Sequence, residues 1–285
     1  MPDPATPLRG PLFGLGAFGL YALYDMTIKF LGDDYSPVQI LFFAGLFVLP
    51  MYLVHLWLDP AGGSLRPVLP GLTMARSVVG LANGVLGAYG FSVLPLAECY
   101  AILFLMPLLI ALLAVPILGE PLGWPRGLAI LAGLVGVLIV LRPGQSPLLP
   151  AHLATLAAAA LGALNYIIVR RVSGVERPAV LLLYPTLVQF IAVALALPFV
   201  WQPMPLAHLG LTALMAVELF IGGFLVVAAY RLAPVVVVAP MQYSQIIWAT
   251  VLGALIFGEA MDGPTWGGIG LIIAAGLFIL GRAGR

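Results

Sequence analysis

The sequence is poor in almost everything a water-facing protein needs. Only 8% of its 285 residues are charged, against about 25% in an ordinary soluble domain. A globule in water is therefore excluded. Lysine occurs once, as Lys29, and the formal net charge is +1, so there is no basic face for a nucleic acid. One cysteine, Cys99, excludes an internal disulfide and a multi-cysteine metal site. His55, His152 and His208 are scattered and form no HExxH pattern, which argues against a zinc protease. No metal and no cofactor is expected. The first apolar stretch carries Tyr21, Tyr24, Asp25 and Lys29 and has the length of a full span, so a cleaved signal peptide is not expected either.

What the chain has in plenty is apolar side chain: 62% of residues, with a mean hydropathy of +1.13. The lipid bilayer is the one solvent that accepts this. About 20 residues cross about 30 Å of hydrocarbon, so ten spans fit and a separate soluble domain does not. Hydropathy with Pro/Gly punctuation places spans near 11–31, 37–58, 72–92, 95–118, 125–141, 151–170, 179–200, 207–230, 235–257 and 264–281. The arginines then set orientation. With a cytoplasmic N-terminus, Arg9, Arg66, Arg76, Arg126, Arg170, Arg171, Arg177, Arg231, Arg282 and Arg285 fall inside. Only Lys29 and Arg142 fall outside. Both termini are thus expected in the cytoplasm and the protein in a bacterial inner membrane.

The two halves of the chain match. Ile117-Leu118-Gly119-Glu120 recurs as Ile256-Phe257-Gly258-Glu259, an offset of 139 (258 − 119). The same offset pairs Pro95 with Pro234 and Gly84 with Gly223, while Lys29 pairs with Arg170 and Pro37 with Pro178 at 141 (170 − 29). Five spans per half is an odd number, so the second half enters the membrane upside down. The expected fold class is an all-α membrane protein, ten transmembrane helices as two inverted five-helix repeats. Its expected parts are a cytoplasmic tail 1–10, a first repeat 11–141, a periplasmic linker 142–150, a second repeat 151–281 and a cytoplasmic tail 282–285. Inverted repeats of this kind are the architecture of secondary transporters.

Leu94-Pro95-Leu96-Ala97, Met106-Pro107 and Leu118-Gly119-Glu120 resemble the first half of an EamA-type member of the drug/metabolite transporter superfamily. Ala239-Pro240-Met241-Gln242-Tyr243, running on to Phe257-Gly258-Glu259, resembles the second half. The resemblance covers essentially the whole chain. It implies a 5+5 carrier with a cavity between the halves, and within the family it points toward the bacterial aromatic amino acid exporters. The arginine often seen in the second span of such proteins is absent, where Gln39-Ile40-Leu41-Phe42-Phe43-Ala44 stands, so its role does not carry over.

A site should combine midplane polar groups with interrupted helices, because freed backbone groups are tolerated only beside protein or a water-filled cavity. Pro107 and Pro240 interrupt the fourth and ninth spans; a packing kink is the plain alternative for each. Tyr21, Asn83, Glu218, Tyr243, Gln245 and Trp248 fall near the midplane, and Tyr100 and Phe104 form an i, i+4 aromatic pair. These eight are the candidate substrate-binding residues. Glu218 is the sharpest, because a carboxylate at that depth costs about 2.5–3.5 kcal/mol to insert and desolvation favours its protonated form. It is a candidate for proton coupling or for binding a substrate ammonium; a glutamic acid hydrogen-bonded between helices is the structural alternative. Asp25 and Lys29, spaced i, i+4, are expected to form a local ion pair. Glu98 is expected to sit on a helix dipole, Arg76 to snorkel inward, and Glu120 and Glu259 to fix turns.

The expected function is an alternating-access carrier of small metabolites, most of all aromatic or hydrophobic amino acids, acting as an exporter. Carriage of a nucleoside, sugar or cationic drug is the alternative. A membrane-embedded enzyme is less consistent, since the chain has neither HExxH nor GxSxG and no paired catalytic acids within a span. No filter-like segment suggests a channel. Expected partners are lipid, a small-molecule substrate and protons, with a monomer sufficient to enclose a cavity.

Overall fold

A computed structural model describes residues 6–58, 64–118, 124–142, 148–172, 175–232 and 239–283. These form eleven α-helices and two short 3-10 turns: α1 (Thr6–Gly32), α2 (Pro37–Leu58), α3 (Pro70–Val93), α4 (Leu96–Leu103), α5 (Met106–Leu118), α6 (Trp124–Leu141), α7 (Pro150–Val172), α8 (Pro178–Ala196), α9 (Leu206–Leu232), α10 (Ser244–Phe257) and α11 (Gly263–Ala283). The turns are Leu197–Phe199 and Ala239–Tyr243. Helices α4 and α5 are the two pieces of a broken fourth span. The 3-10 turn Ala239–Tyr243 leads into α10 as the broken ninth. Among the described residues the fold is all-α, with ten spans arranged as two inverted five-helix repeats.

By length and composition alone, α2, α7, α8 and α9 are apolar enough to cross a membrane. Among the others, the fourth and ninth spans are broken, and glycines, tyrosines and Asp25 dilute α1.

The packing repeats as the sequence does. Helix α1 lies along α9, and α7 lies along α3; these are the same contact in the two halves. Helix α2 on α9 is matched by α8 on α3, α10 on α1 by α5 on α7, and the terminal helices α6 and α11 pair with one another. Small residues make the close crossings possible. A Cβ at Gly136 would stand 2.8 Å from the carbonyl oxygen of Gly268, and one at Gly268 would stand 2.6 Å from that of Gly136. On the α3–α7 contact, Gly90 leaves room for Thr155 and Gly87 for Ala158.

Polar ties hold each end of the bundle. At one face, Gln39 of α2 and Gln202 of the loop before α9 exchange hydrogen bonds of 2.7 and 2.8 Å, Tyr35 reaches His208 Nδ1 at 2.9 Å, and Glu98 meets His152 at 3.0 Å. At the opposite face Glu176 accepts from the Leu69 N–H at 2.6 Å and from the Thr73 hydroxyl at 3.3 Å, covering the N-terminus of α3. These donors hold its carboxyl below the usual range. Back at the first face, Arg142, which follows α6 with φ of 42°, binds both oxygens of Asp262, whose Oδ1 also takes the Thr265 N–H at 3.1 Å. That set of partners pulls the Asp262 carboxyl well below the ordinary range.

Candidate functional site

The two broken spans meet each other. Helix α4 packs against α10, and the contact is made by residues that correspond across the repeat: Phe104 and Tyr243, 139 apart, with ring centroids 5.1 Å apart in a T-shaped arrangement. The breaks also correspond, since α5 begins at Met106 and α10 at Ser244. The prolines do not. Pro107 stands in the first turn of α5 and Pro240 in the 3-10 turn before α10, and at the offset of 139 Pro107 matches Ile246 while Pro240 matches Ala101. The matched feature is the break, reached with proline on opposite sides of it.

Around this contact the structure gathers four of the expected residues. Tyr100 stacks on Phe104 with centroids 6.0 Å apart and meets Phe91 edge-on at 5.2 Å. Its hydroxyl donates to Asp25 Oδ2 at 2.5 Å and interacts with Gln245. Tyr243 and Gln245 are buried, and the Tyr243 hydroxyl oxygen has no hydrogen-bond partner. Tyr100 and Phe104 are only 2% and 1% exposed, so this aromatic group is closed to water in the present conformation.

The expected ion pair between Asp25 and Lys29 does not form. The Lys29 ammonium instead meets Glu259 Oε1 at 2.8 Å and the Leu94 carbonyl at 2.8 Å, and sits 5.2 Å from the centre of the Phe257 ring. Glu259 Oε2 accepts from the Leu96 N–H at 3.0 Å. Long-range partners win because the chain turns back at Gly258, whose φ of 66° suits glycine, and delivers Glu259 to the end of α1. Glu259 thus fixes more than its own turn; its counterpart Glu120 lies outside the described residues, as does Pro234. Asp25 is left to Tyr100. Arg76 donates to the Leu181 carbonyl, with its Nε unpartnered.

Tyr21, Asn83 and Trp248 sit apart from the aromatic group. A Cβ at Gly222 of α9 would stand 2.7 Å from the Tyr21 ring, and one at Gly162 of α7 would stand 2.7 Å from Met106 and 3.4 Å from Asn83 Oδ1. Tyr21 matches Gly162 and Asn83 matches Gly222 across the repeat. The large and small partners have therefore changed helices between the halves. Trp248 is 43% exposed and lies over Gly19 of α1, so it does not share the buried setting of Gln245. Glu218 is 5% exposed, with Oε2 unpartnered.

Asp25 is the residue that sequence reasoning missed as a site member. The i, i+4 lysine masked it. The signal that could have found it is the antiparallel register of α1 on α9: Tyr21 lies on Gly222, so one turn onward Asp25 stands level with Glu218, one turn back.

Comparison with known proteins gives a consistent picture. Residues 8–142 match the EamA-like transporter family. The chain is 26% identical over 260 residues to an S-adenosylmethionine uptake transporter of Rickettsia bellii, covering 90% of this chain and 88% of that one. It is 29% identical over 239 residues to a riboflavin transporter of Rhizobium johnstonii (84% and 78%). It is also 24% identical over 275 residues to a pseudopaline exporter of Pseudomonas aeruginosa (93% and 94%). A solved crystal structure shares the fold with a TM-score of 0.65 at 18% identity, covering 97% of this chain and 99% of that one.

Proposed function

We propose that the chain, whose residues 8–142 match the EamA-like transporter family, is a membrane transporter of small metabolites, and that its substrate joins a flat aromatic or hydrophobic part to a cationic amino group. The observation that carries this is the meeting of the Tyr100–Phe104–Tyr243 rings with Asp25 at the two helix breaks. Aromatic faces take an apolar ring and attract a cation, and carboxylates within the bilayer call for a positive partner. Aromatic amino acids fit this chemistry. So does an amino acid bearing a nucleoside, the class named for the Rickettsia relative.

In this proposal Tyr100, Phe104, Tyr243, Gln245 and Glu218 contact substrate, with Tyr21, Asn83 and Trp248 at its margins. The breaks beside Pro107 and Pro240 are the hinges. The repeats 11–141 and 151–281 rock about them, joined by the 142–150 linker. A monomer in the bacterial inner membrane, with tails 1–10 and 282–285 in the cytoplasm, is the assembly; the arginine distribution supports that orientation. Export is the proposed direction, set by gradients, and Glu218 is the proposed proton-coupling group.

Counterflow in proteoliposomes tests this. Labelled phenylalanine, tryptophan and S-adenosylmethionine are offered to vesicles preloaded with the same unlabelled compound. Saturable counterflow of at least one, weakened by Phe104→Ala, is the expected result. Counterflow of none, by inserted and folded protein, overturns the substrate class.

A further inference from the structure

The register of the α1–α9 contact sets Asp25 and Glu218 at the same level of the two helices. The register is tied at two places: Tyr21 packs on Gly222, and beyond the end of α1 Tyr35 bonds to His208. Both ties are the same distance apart on the two strands of the contact, fourteen residues (35 − 21 and 222 − 208), so the intervening positions 25 and 218 stand level. Glu218 is 5% exposed and its Oε2 has no partner. Among the described residues no lysine, arginine or histidine pairs with either carboxylate: Lys29 is taken by Glu259, Arg142 by Asp262 and His152 by Glu98.

The titratable groups on the surrounding elements supply no free cation. On α1 they are Tyr21, Tyr24 and Lys29; on α2, Tyr52 and His55, the latter stacked on Phe224. Helix α3 brings Tyr89 and Arg76, whose guanidinium is directed to the Leu181 carbonyl; α4 brings Glu98, Cys99 and Tyr100, α9 brings His208, bonded to Tyr35, Tyr243 precedes α10, and Arg9 stands four turns from Asp25 near the start of α1. Two carboxylates at one depth in hydrocarbon cannot both be ionised without a counter-charge. The other half lacks the pair. Its matching contact is set by Asn83 on Gly162, Gly87 on Ala158 and Gly90 on Thr155, and the positions that correspond to Glu218 and Asp25 are Val79 and Tyr166.

We propose that Asp25 and Glu218 form a single-cation site, one per molecule, that holds one proton when empty of substrate and gives it up to water when the substrate's cationic group enters. Transport of a monocationic group is then exchange against one proton. This rests on the proposed substrate class, and it adds Asp25 as a second binding carboxylate.

The test uses the whole protein in detergent and in proteoliposomes, with S-adenosylmethionine and phenylalanine as probes. Adding a transported probe to weakly buffered protein should release about one proton per probe bound. Affinity should fall about tenfold per pH unit on acidification once the site is protonated, as one-proton competition requires. Asp25→Asn, which keeps an acceptor for Tyr100, and Glu218→Gln should each weaken probe binding at least tenfold, and the double variant should release no proton. Should Asp25→Asn fail to fold, Glu218→Gln alone decides, since Oε2 has no bond to lose. Counterflow without proton release, or with both single variants unchanged, overturns the proposal and leaves the substrate class standing. If no probe is transported, infrared absorption of the protonated carboxyl decides separately. A band present in the wild type and lost in Asp25→Asn/Glu218→Gln supports the shared proton, and its absence from the wild type, or survival in the double variant, overturns it.

Discussion

Replacing Lys29 by methionine should open one face of the carrier. The ammonium holds Glu259, the Leu94 carbonyl and the Phe257 ring together, and so joins the end of α1 to the α3–α4 turn and to the chain between α10 and α11. The side chains of the pair are 13% and 22% exposed, short of the full burial at which removing one partner costs about 3–5 kcal/mol. Glu259 keeps the Leu96 N–H, which argues for the lower figure. A loss of about 3 kcal/mol shifts a two-state equilibrium roughly a hundredfold. The lone thiol is a native reporter: Cys99 is 0% exposed on α4, three residues past Leu96. Its rate of reaction with a water-soluble maleimide should rise by about two orders of magnitude in Lys29→Met. Lys29→Glu combined with Glu259→Lys should restore most of the protection. An unchanged labelling rate in folded Lys29→Met would show that the ion pair does not hold this face shut.

Three further results are expected. Gly222→Val pushes a side chain into the Tyr21 ring, where even a Cβ would come within 2.7 Å; thermal unfolding in detergent should show a loss of about 1–3 kcal/mol, recovered in part by Tyr21→Ala. Gly136→Ala meets the Gly268 carbonyl oxygen as well as the Ile272 side chain, each at 2.8 Å, so trimming Ile272 or any other single side chain on α11 should recover only part of its loss. Acidification should cost stability through Glu176 and Asp262. Both carboxyls are depressed by their partners, so the stabilisation is complete above the ordinary carboxylate range and is lost as pH falls through their lowered values. Glu176→Gln should flatten that acid-side slope in a melting-temperature series.

The spans and the repeat were legible because both are one-dimensional signals. Hydropathy marks length, and a constant offset marks duplication, so the packing of α1 on α9 and of α3 on α7 follows once the halves are superposed. The partners of individual charges were not legible. Lys29 stands one turn from Asp25 in sequence, yet it bonds to a glutamate 230 residues away (259 − 29) because Gly258 turns the chain toward it. The prolines misled in a different way. Each marks a break, but the breaks correspond while the prolines do not, since proline fits on either side of an interrupted helix. Trp248 and Gln245 share a helical face in projection and still differ in setting, for one lies on a glycine of α1 and the other beneath Tyr100.

The departures from symmetry are where an inverted-repeat carrier acquires chemistry. Two equivalent halves give two equivalent half-sites, which suits rocking but not the recognition of an asymmetric molecule. Here the α1–α9 and α7–α3 contacts share a backbone geometry and differ at two pairs of positions: Tyr21 on Gly222 against Gly162 on Asn83, and Asp25 level with Glu218 against the positions of Tyr166 and Val79. At the centre, Phe104 meets its own counterpart as Tyr243, so even the axis contact carries a hydroxyl on one side only. Moving the acid pair should therefore move the preference. Val79→Glu alone, which adds a carboxylate to the half that lacks one, should lower membrane insertion by about the 2.5–3.5 kcal/mol that an uncompensated acid costs. It should not restore binding to Glu218→Gln, because Asp25 has no counterpart beside it. Restored binding in that double variant would mean that the two contacts are chemically interchangeable, and that the asymmetry plays no part in recognition.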